Sequence, residues 1–160
     1  MPVSAVTLHP ATVHFPIAFL TLGSIAGLLY LTRWPRAELL TLTWWPLRLG
    51  WIGVGAAVLT GLLAQSRLPP QAPYSAQLNW HIGTGLALLV LYAVPIYRAW
   101  VYGNRRRAAD PADLLQVAQA RRWVGVLLAL GLVLVLVTGW LGGQLVYTWG
   151  VNTPVAIPES

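Results

Sequence analysis

The chain has 160 residues, of which 57% are hydrophobic and 9% charged. A soluble domain carries about 25% charged residues, so this chain could not cover a water-facing surface, and it reads as one integral membrane bundle with no second domain. Its formal charge of +6 comes from arginine alone and lies between apolar runs, where it marks topology rather than a nucleic-acid face. Without cysteine there are no disulfides, thiolate ligands or thiol nucleophiles.

The N-terminus lacks the basic segment and small-residue cleavage site of a signal peptide, so the first apolar run is expected to be retained. That run spans about 13–31, close to the ~20 residues that cross a bilayer core. Pro16 lies near its start, and a helix beginning just upstream is expected to bend there. Gly23 and Gly27 form a GxxxG pair that lets a neighbouring backbone approach. Arg33, Pro35, Arg36 and Glu38 end the span. Leu39–Pro46, with Trp44 and Trp45, reads as an interfacial approach, since indole rings favour the headgroup zone. A second, glycine-rich span covers about 47–63.

Pro69, Pro70 and Pro73 make the next segment a loop. The third span, about 78–97, opens on Asn79-Trp80-His81. The longest polar segment follows, with Arg105-Arg106-Arg107 and then Asp110-Pro111 as the expected cap of a short helix over about 111–121. The fourth span, about 123–147, is the most apolar. From Val151 the tail is polar and expected outside the bilayer.

Nine of the ten arginines flank the first and third connections, and only Arg67 lies in the second. Basic loops stay cytoplasmic. The fold expected is therefore an all-α, four-helix up-down transmembrane bundle with both termini outside, in the bacterial cytoplasmic (inner) membrane. The first and third helices then run in parallel, which sets His14 and His81 at one depth near the outer face, with His9 just above.

Those helices are diagonal neighbours in such a bundle. Two inward imidazoles could ligate one flat macrocycle from both faces, and haem b needs no cysteine and takes imidazole as an axial ligand. His14 and His81 are the expected axial and metal ligands, with His9, Arg67, Gln144 and Tyr147 in support. A bare Cu or Zn site using the three histidines is a second option, and a cofactor-free structural subunit is a third. Glu38, Asp110 and Asp113 lie at the arginine-rich end, away from the histidines. No catalytic constellation or phosphate loop is present, so enzymatic activity is not expected.

The segments HPATVHFPIA at the start and GGQLVYTWGV at the end, with a histidine opening the third span, resemble a family of bacterial four-span predicted membrane proteins of unknown function. Its pattern begins HPxxVHFPIA and ends near GWLGGELVYRHGV. The match rests on His9, Pro10, His14, Phe15, Pro16, Gly61, His81, Gly139, Trp140, Gly142, Gly143, Val146, Tyr147, Gly150 and Val151. Gln144 stands where the family has Glu, and Trp149 where it has His. The resemblance implies the fold and brings no settled function. The function expected from the residues is electron transfer through one haem near the outer face. Its partners would be other membrane redox subunits or a periplasmic redox protein, with quinone as a membrane-side carrier and a homo-oligomer compatible with the small-residue faces.

Overall fold

The computed structural model describes residues 5–151, and their secondary structure is entirely helical. The helices are α1 (Ala5–Thr12), α2 (His14–Thr32), α3 (Ala37–Gln65), α4 (Ser75–Arg105) and α5 (Ala118–Tyr147), with a 3₁₀ turn at Leu114–Gln116. Four segments are long and apolar enough to cross a membrane: Leu8–Thr32, Ala37–Gln65, Ser75–Arg105 and Ala118–Tyr147. Neighbours in sequence pack antiparallel, α2 closes the ring against α5, and the described ends of the chain meet at one end of the bundle, around a cavity lined by both His9 and Val151. The polar tail, residues 152–160, lies outside the described residues.

The helices exceed the expected spans by about one to three turns at four of the eight ends. A 30-residue helix is about 45 Å long, whereas the hydrocarbon core is ~30 Å, so the apolar pattern ends before the helix does. The interfacial approach expected at Leu39–Pro46 is instead the first part of α3. Trp44 is buried there, while Trp45 is exposed under the Arg48 guanidinium at 5.9 Å. The helix expected over 111–121 is also replaced. Asp113, not Asp110, caps a single 3₁₀ turn, and extended Val117 separates that turn from α5. Asp110 accepts instead from the Arg107 N–H at 2.6 Å.

Close approach in the core is set by glycine. A Cβ at Gly23 would lie 2.7 Å from Leu47 Cγ and 2.9 Å from the Thr43 carbonyl, so α2 and α3 touch where the GxxxG pair foresaw. A Cβ at Gly131 would lie 2.5 Å from the Tyr92 hydroxyl. That ring spans the core and shares a hydrogen bond of 2.7 Å with Ser24, tying α4 to its diagonal neighbour α2. Both side chains are fully buried, and each satisfies the other where no water can.

At the arginine-rich end, Asp113 fastens the α4–α5 connection to α3. Its carboxylate accepts from the Trp44 indole N–H at 2.7 Å and from the Leu115 N–H at 2.8 Å, and Gln116 returns a bond to the Asp113 N–H. Burial pushes this carboxyl above the usual carboxylate range, against the two N–H donors and nearby Arg48, which favour the charged form. Asp113→Ala should lower stability by about 1–3 kcal/mol, through the lost cap and a stranded indole N–H, read as a lower melting temperature in detergent. The folded carboxyl holds its proton more tightly than the unfolded one, so its contribution is full below ~4 and falls as pH rises through the raised folded value. The melting-temperature gap between wild type and Asp113→Ala should narrow over that window as pH rises.

Candidate functional site

The site begins with a hydrogen bond that cannot form. Pro16 has no N–H to give the Thr12 carbonyl, and the helix breaks at Val13, where the flanking bonds Val13 N–H to His9 O and Ile17 N–H to Val13 O are both long at 3.3 Å. α1 lies along α3 in the register that α2 holds: Leu47 packs on Gly23, Gly50 on Leu20, Gly53 on Pro16 and Gly61 on His9. Thr12 and Thr60 join the two helices by a hydroxyl pair at 3.2 Å.

This docking brings His9, not His14, up to His81: the two ring centroids are 6.1 Å apart, with planes at 77°. The expected pairing of His14 with His81 does not occur. His14 is exposed at the start of α2, on the rim of the cavity, and makes no hydrogen bond or ring contact among the described residues. Five residues separate His9 from His14, which is roughly 140° around a helix, so one position faces the core and the other cannot.

Each imidazole is held alike. His9 Nδ1 lies 2.9 Å from the Ala57 carbonyl of α3, and His81 Nδ1 lies 3.1 Å from the Thr138 carbonyl of α5. A carbonyl only accepts, so Nδ1 carries the proton in both rings and both Nε2 lone pairs are left over. Neither Nε2 has a hydrogen-bond partner among the described residues. Each ring also packs its Cε1 against a glycine: a Cβ at Gly61 would meet His9 Cε1 at 3.0 Å, and one at Gly142 would meet His81 Cε1 at 2.9 Å.

The two imidazoles line a cavity of about 380 Å³, within the ~300–1,000 Å³ of small-molecule sites. Its inner end is closed by Leu20, Val54, Leu88 and Val135. The Thr138 hydroxyl is buried on its wall and has no partner among the described residues. Among the described residues no three His, Cys, Asp or Glu side chains gather to hold a metal ion. Two nitrogens fall short of the three or four protein ligands usual for zinc.

The other expected site residues lie apart from the rings. Gln144 accepts from Gln77 at 3.2 Å, and Gln77 in turn accepts from the Trp149 indole at 2.9 Å, so Gln144 belongs to a chain of bonds at the mouth. Tyr147 is 90% exposed at the rim. Arg67 is exposed in the α3–α4 loop and does not line the cavity. The contacts that sequence reasoning missed are the Ala57 and Thr138 carbonyls, which no residue type announces. Gly61 and Gly142 were visible as motif positions without a stated role.

A family model described as "Predicted membrane protein (DUF2231)" matches residues 5–154. The chain belongs to the DUF2231 family of predicted membrane proteins. No curated protein and no solved structure matches it. The match takes in both imidazoles, both glycine seats and all four membrane-length helices.

Gly142→Ala should push His81 off its carbonyl and cost about 1–3 kcal/mol of stability by overpacking. Gly55→Ala, where a Cβ meets nothing within 4 Å, should be neutral or slightly stabilising. Paired thermal melts in one detergent check both.

Proposed function

We propose that this membrane protein is an electron carrier of the b-cytochrome kind, holding one haem between His9 and His81. The observation that carries the reading is the matched imidazole pair: two rings 6.1 Å apart, each with Nδ1 committed to a backbone carbonyl and Nε2 unused. His9 and His81 would be the residues to hold the haem iron, each through its unused Nε2. A backbone carbonyl on the second ring nitrogen is the usual partner of a ligating histidine, fixing its tautomer and raising its basicity. Haem bound there would supply a one-electron iron couple tuned by its axial ligands and surroundings.

The chain's own residues would set the conditions of that couple. Leu20, Val54, Leu88 and Val135 keep water from the inner end of the cavity. Gly61 and Gly142 seat the rings against α3 and α5, so neither imidazole can swing without moving a helix. Exchange would occur at the end of the bundle that carries the described termini. The arginines cluster at the other end, and basic loops stay cytoplasmic, so the haem end would face the periplasm of a bacterial inner membrane. A periplasmic redox protein or a neighbouring membrane redox subunit would be the partner.

The test is an absorption spectrum of protein purified from haem-replete cells. A Soret band at one haem per chain is expected, lost in His9→Ala and in His81→Ala and retained in His14→Ala. A colourless preparation, or a spectrum that survives His81→Ala, overturns the reading.

A further inference from the structure

The cavity walls are thin toward the outer surface. Where α2 meets α5, Ile17 lines the cavity, with its Cδ1 4.0 Å from the Cβ position of Gly139, and is itself 39% exposed. Between α3 and α4 the wall is likewise a single side chain thick. Leu62 and Leu86 line the cavity and are also 46% and 43% exposed on the outer surface of the bundle, where lipid would lie. Beside them Gly85 lines the cavity, and a Cβ built there meets nothing within 4 Å. The α3–α4 wall therefore has free space beside Gly85, within a helix apolar enough to cross a membrane.

A second cavity, of about 460 Å³, adjoins the first at the α3–α4 loop and shares Leu62, Gln65, Leu68 and Leu78 with it. Its Ser66 and Ser75 hydroxyls already donate to Leu63 and Ala72 carbonyls. The Gln65 and Asn79 amides, by contrast, have no hydrogen-bond partner among the described residues. An amide both donates and accepts. No arginine lines either cavity, so nothing there would neutralise a phosphate. A slot that is apolar and thin-walled, with an uncharged rim that gives and takes hydrogen bonds, suits a membrane-soluble molecule with a neutral, oxygen-bearing head.

We infer that the α3–α4 gap at Gly85 binds an isoprenoid quinone, its tail leaving between Leu62 and Leu86 and its ring oxygens resting on the Gln65 and Asn79 amides. The choice of quinone among neutral-headed lipids rests on the electron-carrier reading, which gives a redox lipid beside the imidazole pair a use. The gap itself does not depend on that reading.

The experiment is a titration of detergent-purified protein, freed of haem, with a short-tailed ubiquinone analogue. Quenching of tryptophan fluorescence is the readout, and Trp80, beside His81, is 70% exposed. Wild type should quench saturably. Gly85→Leu, which fills the gap, and Gln65→Leu, which removes the amide, should each shift the midpoint about tenfold or more. Gly83→Leu, on the same helix, off the cavity and equally open, should match wild type. Unsaturable quenching, equal midpoints in Gly85→Leu and wild type, or equal displacement by a diacylglycerol overturns the proposal. Saturable, Gly85-dependent quenching by a protein that never takes up haem would keep this site and sink only the haem reading. A haem spectrum without saturable quenching would do the reverse.

Discussion

Pro16 withholds one backbone N–H where α1 meets α2, and contacts to α3 hold the histidine-bearing end together around that joint. Val13 keeps helical angles, with φ −69° and ψ −24°, and α3 runs on to Gln65, so it flanks α1 as well as α2. α1 lies on α3 through Thr12, Thr60 and His9 itself. That placement turns His9 inward and leaves His14 outside. The cost of the broken bond is offset locally: the Thr12 hydroxyl donates to the His9 carbonyl at 2.9 Å, and the imidazole gains the Ala57 carbonyl.

The bundle is chemically lopsided. One end holds the imidazoles, the amides and the cavities; the other holds nearly all the arginines and the Asp113 clamp. Between them, Ser24 and Tyr92 are the polar link across the core, and they use each other up. Their bond sits where glycine admits the tyrosine ring, so the middle of the protein is packed to the limit while the histidine end is hollow. Close packing in one half lets the other half hold a cavity without loss of the fold.

Much of the architecture was legible in the sequence because it rests on patterns the bilayer enforces: apolar runs of spanning length and a GxxxG pair. The histidine end was readable as a region and misread in its pairing. His14 and His81 have similar offsets into their apolar runs, and offset along a helix says nothing about rotation around it. Which face of α1 turns to the core depends on α3, far away in sequence. The same limit explains Trp44 and Asp113. The tryptophan looked like a headgroup anchor beside Trp45, and only the fold shows that a carboxylate 69 residues on receives its N–H. The anchoring carbonyls of Ala57 and Thr138 belong to the backbone, so no side chain could have revealed them.

Each imidazole is seated on a helix that the ribosome makes later. His9 needs the carbonyl and the glycine of α3, and His81 needs those of α5. Neither half of the pair can therefore be completed during synthesis of the helix that carries it. The site comes into being only when the last hydrophobic segment has left the translocon and docked. Whatever occupies the hollow must then enter a finished protein.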